Sequence, residues 1–96
     1  MTIYTLPAEL TVYTVNDIYQ RLSDILVTTP EVVVLDAAAV EEIDGCGTQL
    51  LAYFALQCDS KGVHFQCQHA SQSLMETSTL LNIYSILFPH DERDDI

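Results

Sequence analysis

The sequence predicts an α/β fold, a mixed β-sheet of four to five strands packed with three or more α-helices. Three observations predict it. Val32 to Leu35 is a continuous apolar run, the mark of a strand buried on both faces. Segments with a helical repeat lie on either side of that run, and strand-helix-strand units impose parallel pairing. Short segments rich in β-branched and aromatic residues open the chain, and a strictly alternating one follows the second helical segment. Ninety-six residues make one domain, 1–96, with a single core two layers thick.

The elements follow in order. "TIYTLP" and "ELTVYTV" read as two short strands with a turn between, Pro7 lying at a strand end because it cannot donate to a ladder. "TVNDIYQRLSDILVTT" reads as the first helix. Val15, Ile18, Tyr19, Leu22, Ile25 and Leu26 share one face. Asn16 or Thr14 caps its start, Asp17 suits its first turn, and Pro30 ends it. The buried strand Val32 to Leu35 ends at Asp36. "GTQLLAYFALQCDSKG" is the second helix, with Leu50, Leu51, Phe54, Ala55 and Cys58 as its apolar face and Gly62 as its stop. "VHFQCQ" alternates, with Val63, Phe65 and Cys67 on one face and His64, Gln66 and Gln68 on the other. "SQSLMETSTLLN" is a third helix capped by Ser71 or Ser73 and stopped at Asn82, and "IYSILF" reads as a short final strand. From about residue 89 the chain is an acidic tail.

Charge narrows the function classes. Three basic residues face fourteen acidic ones, a formal net charge of −11. Nucleic-acid binding needs clustered Lys and Arg, and Arg21, Lys61 and Arg93 are scattered. Anionic membrane surfaces are disfavoured for the same reason, whereas a partner with a basic patch would be steered toward the chain. The bland reading of the same charge is solubility. No apolar run approaches the roughly 18 residues of a membrane span, and no secretory signal is visible. Three cysteines without framework spacing fit free thiols in a reducing compartment, so the chain is read as cytoplasmic. There is no phosphate loop, nucleophile elbow, dinucleotide fingerprint or zinc spacing. The expectation is a non-enzyme with no metal and no cofactor.

The stretch "EEIDGCGTQLL", residues 41–51, carries the most information. A loop ends on apolar Ile43, followed by Asp44, two glycines flanking Cys46, and a leucine-bearing helix. Asp44 is placed to cap that helix by accepting from its free N–H groups. Gly45 and Gly47 answer backbone needs, either positive φ or the close approach of another surface. Cys46 lies where a helix N-terminus favours a thiolate, although Asp44, two residues away, opposes a second negative charge. Glu41 and Glu42 make the loop acidic. Cys58 and Cys67 read as core residues.

This stretch resembles the STAS family, the domain shared by sulphate transporters and anti-sigma-factor antagonists. The family pattern is a hydrophobic strand ending in Asp, a loop with an apolar residue, and Asp-Ser-Ser-Gly or Asp-Thr-Ala-Gly opening a leucine-rich helix. Asp36, Val40, Ile43, Asp44, Gly45, Cys46, Gly47, Leu50 and Leu51 stand at the matching positions. "LPAELTVYTVNDIYQRL" is similar to the family's L-x-G-E-L-x entry to the first helix. "STLLNIYSIL" is similar to its L-L-G-L exit from the third, with Asn82 where Gly is common.

The resemblance implies a non-catalytic regulatory adaptor of bacterial type. Its partner would be an anti-sigma kinase, the ATPase subunit of an ABC transporter, or a chemotaxis component. The partner-binding set would be Glu41, Glu42, Asp44, Gly45, Cys46, Gly47 and Thr48, with the exposed first turns of the second helix and the segment from Thr11 to Asn16 beside it. Where relatives carry the phosphorylated Ser, this chain has Cys46, and where many carry a preceding Ser or Thr it has Gly45. The phosphosite is therefore degenerate, and Thr48 is the one hydroxyl left on the turn for a kinase. The alternative is a thiol-based redox sensor centred on Cys46. Apolar residues on an open sheet edge would allow a homodimer.

Overall fold

The computed structural model describes residues 1–88. Five strands and four helices run in the order β1 (Thr2–Thr5), β2 (Glu9–Leu10), α1 (Val15–Val27), β3 (Val32–Asp36), β4 (Glu42–Ile43), α2 (Gly45–Ser60), β5 (His64–Gln68), α3 (Gln72–Leu80) and α4 (Tyr84–Leu87). The α/β class and the expected number of elements are both present. The ladders refine the expectation of one mixed sheet. All strand pairs among the described residues are parallel, and they divide into a three-stranded sheet, β1-β3-β5, and a two-stranded one, β2-β4. The acidic tail lies outside the described residues.

The apolar run at Val32 is the central strand, which is why it reads as continuously hydrophobic. Its register aligns Thr2, Val33 and Phe65, and then Tyr4, Leu35 and Cys67, on one face. That face joins Leu22, Leu51, Phe54 and Leu74 of the helices in a single core. Val34 points the other way, between Ile3 and Gln66 in register, and is still buried.

Local chemistry sets the helix ends. The helical repeat of α1 buries Ile18, Leu22 and Leu26. Thr14 occupies its N-cap without a side-chain bond into the helix. Its hydroxyl instead accepts from the Thr11 N–H at 3.0 Å and donates to the Glu9 carbonyl at 3.1 Å, fastening the preceding turn. That turn ends β2 after Leu10, so the strand expected through "ELTVYTV" is two residues long. Ser71 caps α3, its hydroxyl accepting from the Leu74 N–H at 3.1 Å. Asn82 stops the chain after α3 in the left-handed region, at φ +60°.

One element is corrected outright. "IYSILF" is not a final strand; Tyr84–Leu87 forms the short helix α4. Tyr84 and Leu87, three residues apart, both face inward and are buried. A short apolar run fits strand and helix equally on periodicity, and here the bond from the Ile83 N–H to the Ser78 carbonyl turns the chain back onto α2. The reverse miss is β4, which the sequence places in a loop. Its two residues pair with β2 in parallel register, Glu9 with Glu42 and Leu10 with Ile43.

Candidate functional site: the turn before the second long helix

The β2-β4 ladder delivers two loops to one end of the sheet, the turn after Leu10 and the turn before α2. Asp44 fastens them together. It is extended, at φ −118° and ψ −174°, as an N-cap should be. Its Oδ1 accepts from the Gly47 N–H at 2.9 Å and its Oδ2 from the Val12 N–H at 2.9 Å. The capping role expected of Asp44 is present; the bond across to Val12, 32 residues away, has no local sign in the sequence. The Gly47 N–H first, and the Val12 N–H second, hold the Asp44 carboxyl below its usual value of 3.8.

The sign of that shift gives a pH prediction. A carboxyl whose folded pKa is depressed adds stability that is present above its unfolded value and lost as pH falls through the folded one. The stability difference between wild type and Asp44→Asn is therefore expected to persist from neutral pH down to about 4 and to shrink below it. Urea melts of both proteins at several pH values read this directly. A gap that stays constant into the acid range would mean the Asp44 charge contributes nothing.

The other expected site residues divide. Glu41 and Glu42 are exposed, and both of their N–H groups bond to the Ala8 carbonyl, at 2.8 and 3.0 Å. Gly45 and Cys46 are exposed. Gly47 and Thr48 are buried, which corrects their place in a surface set. Thr48 is only 1% exposed, and its hydroxyl donates to the Asp44 carbonyl at 2.8 Å. The hydroxyl expected to be open to a kinase is thus turned into the fold and engaged there. The two glycines differ as well. A Cβ at Gly47 would stand 2.0 Å from the Leu10 carbonyl oxygen, whereas one at Gly45 would meet nothing within 4 Å. Close approach explains Gly47; Gly45 answers no steric need.

Val12 and Tyr13 stand beside Asp44 with 53% and 90% of their surface exposed. A shallow acidic cleft of about 400 Å³ opens on the same end, bordered by Thr11, Glu41, Glu42, Asp44, Ser73 and Glu76. Its α3 residues were not anticipated, because their place depends on how α3 packs against β4. The model matching a family is the STAS domain, over residues 1–92. The chain belongs to the STAS domain family. A solved structure described as a sulfate transporter family protein from Wolinella succinogenes superposes on this STAS domain with a TM-score of 0.73 at 22% identity. The match covers 90% of this chain and 70% of that one, and it shows the fold alone. No curated protein matches. STAS domains commonly mediate protein interactions or regulation and are generally non-catalytic. No helix among the described residues is long and apolar enough to cross a membrane, and none of their His, Cys, Asp and Glu side chains form a group able to hold a metal ion.

The three thiols of the STAS domain are unequal. Burial pushes the Cys58 thiol up to about 11, and burial, helped by the negative charge of Asp36, pushes Cys67 up to about 12. Cys46 alone is exposed. A disulfide reagent at pH 8 is therefore expected to titrate one thiol quickly in the native protein and three in urea. Loss of the fast reaction in Cys46→Ser assigns it; a second fast native thiol would contradict the burial.

Proposed function

We propose that this STAS domain is a non-catalytic adaptor whose partner docks on the end formed by the 41–46 loop and the turn at Val12 and Tyr13. The observation that carries this is the pair of hydrogen bonds that Asp44 accepts from the Gly47 and Val12 N–H groups, which ties the turn bearing the exposed Tyr13 to the loop bearing the exposed Cys46, Glu41 and Glu42. An aromatic anchor ringed by polar groups is the composition of a binding hot spot. Glu41, Glu42 and Asp44 select a partner with a basic patch, such as an anti-sigma kinase, an ABC-transporter ATPase subunit or a chemotaxis component. With Gly45 and Cys46 in place of hydroxyl residues, binding is constitutive and free of the phosphoserine switch that the resemblance implies for relatives.

The test is direct. A photo-crosslinker on Cys46 captures the partner in host cells, and the purified pair is then titrated against variants. Tyr13→Ala and Glu41→Lys are each expected to weaken binding about tenfold or more, and the interaction should fade as salt rises. Unchanged affinity in both variants would move the interface elsewhere.

The second reading, a thiol sensor, has the exposure of Cys46 in its favour. Its mark is a Cys46 thiol that ionises far below pH 8–9, measured by the pH dependence of alkylation with Cys46→Ser as the control. An ordinary value leaves the adaptor alone.

A further inference from the structure

Gly45 alone separates Asp44, which borders the acidic cleft toward α3, from Cys46, which borders a second recess toward α1. That second hollow is open and measures about 290 Å³. Tyr19 of α1 and Tyr53 of α2 stand beside it, half-exposed, with ring centroids 6.4 Å apart. Leu50 is buried next to them, and the exposed Asn16 and Gln49 give the hollow a polar rim. Every side chain bordering it is apolar or uncharged. Tyr19, Leu50 and Tyr53 also border the groove of about 160 Å³ that continues between the two helices and reaches Lys61. Four carboxylates therefore border the first recess, no charge borders the second, and the chain's single lysine borders the third.

We propose that one segment of the docked partner fills both the hollow and the cleft, seating an uncharged apolar side chain between Tyr19 and Tyr53 and a lysine or arginine beside Glu41, Glu42 and Glu76. This occupant presupposes that the Asp44 end is the docking end, and it states what the partner must carry there. The two recesses are continuous through Asp44 and Cys46. Two residues of backbone reach no more than about 7 Å, a gap that neighbouring side chains of a single strand or helical turn can span. Charge fixes the order. The partner's basic group is drawn to the carboxylates before α2, whereas at the Lys61 end it would meet a like charge. A second copy of the chain fits poorly, because its own Glu41, Glu42 and Asp44 would arrive beside its hollow and face the same carboxylates. A free small molecule fits poorly too, since the hollow lies below the roughly 300–1,000 Å³ of ligand pockets and is open. An aromatic pair over a buried leucine, rimmed by polar groups, instead suits a single anchor side chain.

Cys46 gives the hollow its own probe. The full chain is equilibrated with the disulfides of 2-phenylethanethiol and 2-mercaptoethanol, and intact mass counts which thiol Cys46 holds, with Cys46→Ser as the blank. A preference of about tenfold for the phenylethyl group is expected, the effect of partly burying an aromatic ring. Tyr19→Ser and Tyr53→Ser, each checked by circular dichroism, should bring it below about threefold, and Tyr13→Ala should leave it unchanged. Glutamine replaces serine should either variant fold poorly. An ammonium on the ring should raise uptake several-fold further, and added NaCl should remove that gain. No preference over the hydroxyethyl group, or one that survives both tyrosine variants, overturns the hollow. Against the partner captured through Cys46, the two tyrosine variants should each weaken binding about tenfold. Weakening by Tyr13→Ala and Glu41→Lys but by neither tyrosine variant would overturn the hollow and leave the docking end standing. Unchanged affinity in all four would overturn the docking end itself.

Discussion

Gly47→Ala is expected to lower the stability of this STAS domain by about 3 kcal/mol or more. The added Cβ would lie 2.0 Å from the Leu10 carbonyl oxygen, 2.7 Å from its carbonyl carbon and 2.9 Å from its Cγ. Two of those three atoms are backbone, so no change of rotamer relieves the contact. The Leu10 backbone is itself held, by its pairing with Ile43 and by the bond it accepts from the Asp44 N–H at 3.4 Å. Either α2 backs away from β2, or β2 leaves β4. Both movements break the Asp44 bridge that assembles the proposed docking end. Gly45→Ala, two residues away, is the matched control. Its Cβ enters open space, and reduced freedom of the unfolded chain should leave it neutral or about 0.5 kcal/mol more stable. For a domain of this size the melting midpoint of Gly47→Ala should fall by more than about 12 °C. Thermal melts of the two variants side by side decide the matter, and a Gly47→Ala midpoint close to wild type would show that α2 does not need this approach.

How much of this was legible in the sequence depends on range. The elements with a repeat of their own were readable: α1 and α2 from their apolar spacing, β3 from its unbroken run, β5 from its alternation. The need for a glycine before α2 was readable too, as close approach or positive φ. What it approaches was not, because Leu10 lies far back in the sequence and only the β2-β4 ladder brings it there. The bond from Val12 to Asp44 was hidden for the same reason. The misplacement of Thr48 had a local remedy. Once Asp44 is taken as the N-cap, Thr48, Leu51, Ala55 and Cys58 fall on one side of α2, and all four are buried. The polar identity of Thr48 masked its phase. Tyr84 and Leu87 had no such remedy, since four residues cannot separate a helix from a strand.

Thr48→Asp is expected to cost roughly 3–5 kcal/mol, in the range where a domain of this size loses most of its folded population. The Thr48 hydroxyl lies in the core against the start of α2 and gives its proton to the Asp44 carbonyl. A carboxylate has no proton to give. It would face that carbonyl oxygen at close range, out of reach of water, so it must either stay protonated or open the helix start. Thr48→Val removes the same hydrogen bond without adding charge. The Asp44 carbonyl keeps the Thr48 N–H at 3.0 Å, so the loss should be near 1 kcal/mol. Cys46→Asp puts the same negative charge two residues earlier, on an exposed position, and should change stability by no more than about 0.5 kcal/mol. The comparison separates two positions on this turn: negative charge is expected to be tolerated at the exposed position 46 and not at the buried position 48. Urea midpoints of the three variants measure it. A Thr48→Asp protein as stable as wild type would mean that the hydroxyl reaches solvent, and would support Thr48 as a phosphoacceptor.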